Sequence, residues 1–145
     1  RYFASKEELF EAAFPASFAL EFTRLARGSI EALTPEAARE LQAFAVSNRA
    51  RVVFLLLRAQ GSVYANVVAD LRAALVERAF THAAGRHPDF VMAEATERAV
   101  RRLGAAFVVT LGQLLEEERS ESALREAVVL HGRYHRAGLT ALFAH

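Results

Sequence analysis

The spacing of apolar residues along the chain predicts a succession of α-helices. Apolar residues recur at helical intervals in most segments, and no stretch alternates apolar and polar residues as a half-buried strand would. Alanine, leucine, glutamate and arginine dominate the composition, and these residues favour helix. The pattern therefore predicts an all-α bundle of about six helices.

Ser5-Lys6-Glu7-Glu8 fits a capping box and predicts the start of the first helix. Pro15 lies inside the apolar pattern that follows. Because proline removes an intrahelical hydrogen bond, Pro15 either kinks this helix or ends it near Phe14. Gly28 is the predicted end of the pattern.

The middle of the chain carries two further start and stop signals. Thr34-Pro35 predicts a helix cap followed by proline at the first helical position. The run Val52–Leu57 is apolar on every side, which predicts a short central helix between Asn48 and Gln60. In Gly61-Ser62, the glycine can end the central helix and the serine can cap a new one. Another helix should therefore follow and end at about residue 84.

Two long helices are predicted at the end of the chain. One should begin at Pro88 and end near Glu117, and the other should be capped by Ser120 or Ser122. From residue 103 to 115 the first of them has almost no polar face, so a partner should cover part of it. Such helices predict a four-helix bundle formed by two subunits. The predicted dimer-interface residues are Phe107, Leu111, Leu114, Leu115, Val128, His131, Tyr134 and His135.

Length, charge and cysteine content restrict the class of protein. The 145 residues indicate one globular unit, and a net charge of +1 argues against this chain gripping nucleic acid by itself. The absence of cysteine excludes disulfides and thiolate metal sites. No apolar run approaches the roughly 20 residues of a membrane span, and no leader opens the chain. We therefore expect a cytoplasmic protein without membrane contact and without a cofactor.

The segment Tyr2-Phe3-Ala4-Ser5-Lys6-Glu7-Glu8-Leu9-Phe10 resembles a junction of TetR-family transcriptional regulators, where an aromatic end of the recognition helix turns into a capped fourth helix. The resemblance implies the fold of the TetR C-terminal domain. Residues 1–6 would be a remnant of the DNA-binding headpiece, and residues 7–145 the ligand-sensing and dimerisation domain. The helix-turn-helix is largely missing, so operator DNA would be bound only through a headpiece ahead of Arg1.

By the same resemblance, Tyr2 and Lys6 match positions that contact DNA phosphate. A helix N-terminus with an adjacent cation favours phosphate, which is compatible with this role. The alternative for Lys6 is a solvated residue in the first helical turn.

The resemblance also implies a regulator, most commonly a repressor, whose sensor domain encloses a small apolar or amphipathic effector. Aromatic residues and a few polar groups on apolar faces suit such a cavity. The predicted ligand-binding residues are Phe18, Phe22, Phe44, Asn48, Phe54, Tyr64, Phe107 and Thr110. The alternatives are that the aromatic residues are only core, and that the chain is a dimerising helical scaffold without a ligand pocket.

An enzyme or metal site has one candidate, the pair His131 and His135. Histidines four residues apart share a helix face and could both bind zinc. No third ligand and no catalytic glutamate accompany them, so histidines of a dimer interface are the preferred interpretation. Glycine-rich phosphate loops and nucleophile motifs are also absent from the sequence, which predicts that the chain is not an enzyme.

Overall fold

The structure is a computed structural model that describes residues 14–32 and 34–144. Within these ranges it contains six helices and no strand, which confirms the all-α prediction. The helices are α1 (Ala16–Ala32), α2 (Pro35–Ser47), α3 (Arg49–Val53, continued by a π-helical turn at Phe54–Arg58), α4 (Ala65–Arg86), α5 (Glu94–Glu117) and α6 (Glu121–Leu142). The predicted headpiece remnant, residues 1–6, lies outside the described residues.

The first described helix begins after Pro15 and does not end at Gly28. Phe14 and Pro15 are not helical, and the amide of Phe18 donates to the carbonyl of Pro15 at 3.0 Å. Pro15 therefore precedes α1, where its missing N–H costs no hydrogen bond. The predicted stop at Gly28 is wrong, because α1 continues to Ala32. A glycine inside a helix costs only about 1 kcal/mol, which the burial of one face of α1 exceeds.

The predicted starts of α2 and α3 are confirmed, with one addition. The Thr34 hydroxyl accepts a hydrogen bond from the amide of Ala37 at 3.2 Å, as an N-cap should. The central helix is present but widens into the π-helical turn, which the apolar pattern did not predict. Gly61 then turns the chain with a φ of +82°, a conformation that glycine adopts without strain.

The long helix α5 begins six residues later than predicted. Pro88 lies in a connecting segment, and the helix starts at Glu94, so the predicted start at Pro88 is wrong. The ring of Phe90 packs edge-on against Phe143 at 5.6 Å between centroids, which holds the connecting segment against the end of α6. Ser120 caps α6 by accepting from the amide of Ala123 at 3.2 Å, as predicted.

The helices pack around two groups of buried residues. Helix α1 packs on α2 and α4, α4 packs on α5, and α5 packs on both α3 and α6. The large core consists of Phe14, Phe18, Ala19, Phe22, Ala26, Val52, Val53, Leu55, Ala59, Tyr64, Val67, Leu71, Leu115 and Leu124. The small core, at the other end of α4, consists of Val76, Ala79, Ala83, Val100 and Phe143.

Three contacts fasten α3 and its π-helical turn to the C-terminal half of α5. The guanidinium of Arg49 donates to the carbonyls of Leu115 and Glu118, the latter at 2.7 Å, and so supplies donors to the end of α5. Arg58 forms an ion pair with Glu116 at 2.7 Å. Gly112 lies so close to the turn that a Cβ there would stand 2.8 Å from the Leu57 side chain.

Candidate functional site

Most of the aromatic residues predicted to line a ligand site lie together. The centroid of the Phe14 ring is 5.2 Å from those of Phe18 and Phe54 and 4.8 Å from that of Tyr64. Phe44 stacks on Phe18 at 5.2 Å and lies 6.4 Å from Phe22. We call these six rings the aromatic cluster. Centroid distances of this size describe rings in direct contact, so the cluster fills the space between α1, α2 and α3 with its own side chains.

The polar groups beside the aromatic cluster bond to the backbone. The Tyr64 hydroxyl donates to the carbonyl of Phe14 at 3.1 Å, which ties the start of α4 to the residue before Pro15. The side-chain amide of Asn48 donates to the carbonyl of Phe44 at 3.0 Å. These bonds satisfy a donor of each side chain within the chain itself. A ligand that used the same donors would have to replace them.

The remaining two predicted ligand residues lie elsewhere, on α5. Phe107 stacks on His135 of α6, with centroids 4.4 Å apart, and also contacts His131 at 5.2 Å. Thr110 is half-buried on the same helix. The structure thus brings six of the eight predicted residues to the large core and its rim and leaves Phe107 and Thr110 outside the aromatic cluster.

The two histidines of α6 occupy an apolar environment. His135 is 9% exposed, and burial, followed by the nearby His131 and Arg136, lowers its pKa to about 4. Burial also lowers the pKa of His131. Among the described residues, Nδ1 of His135 and Nε2 of His131 have no hydrogen-bond partner. Both rings are therefore neutral near pH 7.

The described residues contain no group of three or more histidine, cysteine, aspartate or glutamate side chains that could hold a metal ion. Within one chain, His131 and His135 remain a pair of potential ligands. A zinc site normally takes at least three protein ligands, so this pair is not one by itself.

The residues predicted for a dimer interface divide into buried and exposed sets. Leu115 is 4% exposed and belongs to the large core, against which Leu114 and Val128 also pack. Tyr134, by contrast, is 70% exposed. Val129 and Leu130 are exposed beside it, although the sequence analysis did not select them. The apolar surface that α6 presents to solvent is therefore formed by Val129, Leu130 and Tyr134, which we call the α6 face.

Two open grooves lie outside the aromatic cluster. One, of about 470 Å³, follows the α6 face and is lined by Ser122, Arg125, Glu126, Val129, Leu130 and Arg133. The other, the α4–α5 groove, measures about 370 Å³ and is lined by Phe80, Ala83, Ala84, His87, Phe90, Met92 and Glu97. Sequence reasoning missed the second groove because it placed residues 88–93 in a helix. The apolar Phe90-Val91-Met92 run beside Pro88 was the available signal.

The residues predicted to contact DNA phosphate, Tyr2 and Lys6, lie outside the described residues. In the described part of the chain, no helix is both long and apolar enough to cross a membrane. Compared with models of protein families, with curated proteins and with solved structures, the chain matches none of them.

Proposed function

We propose that the chain is the ligand-sensing and dimerisation part of a TetR-type transcriptional regulator. The observation that carries this proposal is the sequence of the Tyr2–Phe10 segment, in which an aromatic pair precedes a capping-box pattern. The described fold is compatible with it, because its last two helices, α5 and α6, are both long and pack against each other.

The aromatic cluster suggests how a small apolar effector would act. Phe18 and Phe22 lie on α1, while Phe44 and Phe54 lie on α2 and in the π-helical turn. Since these rings are in direct contact, an effector entering the cluster has to separate α1 from the other two elements. Such a shift would change the position of the DNA-binding headpiece in each subunit of a dimer. The spacing of the two recognition helices would then change, and their fit to successive major grooves would weaken.

Dimerisation is part of the same proposal. The α6 face leaves Val129, Leu130 and Tyr134 in contact with solvent, and the two-fold pairing of α5 and α6 with a second copy would cover it. The histidines His131 and His135 lie on the same helix and would be close to that interface.

Native mass spectrometry of the purified 145-residue chain tests the proposal. The expected result is a dimer that retains a small apolar molecule or takes up the neutral probe N-phenyl-1-naphthylamine at one saturable site per chain. Phe18→Leu should weaken that binding, whereas Phe143→Leu, in the small core, should leave it unchanged. A stable monomer that takes up no probe would overturn the proposal.

A second candidate is a helical scaffold that dimerises without sensing. It is favoured by the ring-to-ring contacts of the aromatic cluster, where Phe14 and Tyr64 lie only 4.8 Å apart. A dimer that binds no apolar probe at the cluster would support the scaffold over the sensor.

A further inference from the structure

The α4–α5 groove combines apolar walls with one carboxylate. Phe80, Ala83 and Ala84 come from the last turns of α4, and Phe90 and Met92 come from the segment that connects it to α5. Glu97, in the first turn of α5, supplies the carboxylate, and His87, which follows the last residue of α4, adds an imidazole. A volume of about 370 Å³ is within the range of small-molecule sites.

The structure already places a cation at one wall of this groove. The guanidinium carbon of Arg101 lies 5.9 Å from the centroid of the Phe80 ring, within the distance at which a ring face attracts a cation. The same side chain donates to a carboxylate oxygen of Glu97 at 2.8 Å. A positive group is therefore held by a ring face and a carboxylate together.

The other charges near the groove do not offset this preference for a cation. The C-terminal end of α4 is the negative end of its helix dipole, and it faces the same region. Arg98 is occupied by Glu94 at 2.7 Å. Arg86, in the last turn of α4, is exposed, so that water and salt screen its charge.

We propose that the α4–α5 groove binds a small organic ammonium ion. The ammonium group replaces the Arg101 guanidinium between Phe80 and Glu97, and the apolar body of the ligand lies on Phe90 and Met92. This inference goes beyond the proposed regulator function, because binding at the groove requires neither a headpiece nor the aromatic cluster.

Other ligand classes fit the groove less well. An anion would meet the Glu97 carboxylate and the negative end of α4. A hydrated hard metal ion would find one carboxylate and one imidazole among hydrocarbon and thioether groups, a set with too few oxygen ligands for such an ion. A neutral apolar molecule would gain only burial, whereas an ammonium ion gains burial together with the ring face and the carboxylate.

The experiment is an NMR titration of the 145-residue chain with benzyltrimethylammonium, compared with its neutral carbon isostere neopentylbenzene. The expected result is saturable binding of the cation that shifts the signals of Ala83, Phe90 and Met92. Glu97→Gln should weaken binding roughly fivefold, and Arg101→Ala should strengthen it by about threefold, because it removes the internal competitor.

Arg98→Ala provides the matched control. Arg98 and Glu94 form the same kind of ion pair three residues earlier on α5, but neither lines the groove. Arg98→Ala should leave the dissociation constant unchanged. Circular dichroism of each variant confirms that α5 is intact.

Three results would overturn the inference. The first is no saturable binding of benzyltrimethylammonium by the wild-type chain. The second is binding of the neutral isostere that is as tight as that of the cation. The third is an equal effect of Arg101→Ala and Arg98→Ala, which would mean that the cation binds to the acidic surface of α5 without using the groove.

Discussion

Phe107 of α5 and His135 of α6 stack almost face to face, with ring centroids 4.4 Å apart and planes inclined by 29°. The stack joins the last two helices along the stretch where α5 has little polar surface. Because His135 is buried and its Nδ1 has no hydrogen-bond partner among the described residues, the site favours the neutral form of the ring. The contact between α5 and α6 should therefore depend on pH.

Acidification should destabilise the fold between about pH 6.5 and 4. Burial lowers the pKa of His135 from 6.5 in the unfolded chain to about 4 in the folded one. In that window the unfolded state binds the extra proton, so the free energy of unfolding falls as pH falls, by at most about 3 kcal/mol from this residue. The lowered pKa of His131 acts in the same direction. Urea unfolding at pH 7.5 and pH 4.5 measures the loss.

His135→Phe keeps an aromatic ring on Phe107 but cannot be protonated, so this variant should lose less stability on acidification. His82, exposed on α4, supplies the control: His82→Gln should lose as much as the wild type. An identical loss in His135→Phe and the wild type would contradict the assignment.

Gly112→Ala should destabilise the fold by about 1–3 kcal/mol, since the added Cβ overpacks the contact with α3. The new methyl would lie 2.8 Å from Cγ and Cδ2 of Leu57 and 3.0 Å from Cβ of Leu56. Gly28→Ala is the matched control, because Gly28 is also inside a helix but has nothing within 4 Å of its Cβ position. That variant should gain about 0.5–1 kcal/mol from helix propensity. Thermal and urea unfolding would reveal the opposite signs, and a stabilised Gly112→Ala would show that α3 and α5 are not in close contact.

Arg49→Met should cost about 2 kcal/mol, because it removes charged donors from two carbonyls at the end of α5. Both acceptors, on Leu115 and Glu118, belong to the last turn of that helix or its cap. Arg39→Met is the comparison, since the 3.7 Å ion pair of Arg39 with Glu36 is fully on the surface and should contribute almost nothing. Equal unfolding midpoints for the two variants would argue against a role of Arg49 in holding α3 on α5.

If the α6 face forms the proposed homodimer interface, introducing a charged side chain there should weaken the dimer. Leu130→Glu and Tyr134→Glu should each raise the dimer dissociation constant about tenfold or more, because a carboxylate would be buried between subunits. Val63, which is as exposed as Tyr134 but lies in the connection before α4, gives the control variant Val63→Glu. Sedimentation velocity over a range of concentrations measures the effect. A dimer that tolerates the α6 variants would have its interface elsewhere.

Local signals predicted helix starts well where a side chain completes the cap. Thr34 and Ser120 both accept from the amide three residues later, and their helices begin where the sequence indicated. The predictions based on Gly28 and Pro88 were wrong, because the conformational preference of one residue contributes less free energy than the packing of side chains. Residues around Gly28 bury one side of α1, and Phe90 is held against Phe143 instead of continuing a helix from Pro88.

For the candidate site, the sequence predicted which residues take part but not which of them touch. Periodicity placed Phe18, Phe44 and Tyr64 on inward faces, and the structure does bring them together. Which rings touch depends on how helices cross, which no single helix encodes, so the separation of Phe107 from the others was not predictable. The π-helical turn was equally hidden, because the apolar run within Phe54–Arg58 does not distinguish a π-helical turn from an α-helix.

The division between the large core and the small core has a consequence for local opening. Among the described residues, five are buried in the small core against fourteen in the large core, and those five close the end of the bundle where α4 and α6 end. Few apolar contacts there mean that this end can open while the large core stays closed, so amide hydrogens of the last turns of α4 should exchange with solvent by a subglobal route. Amides around Leu55, which is completely buried in the large core, should exchange only on global unfolding.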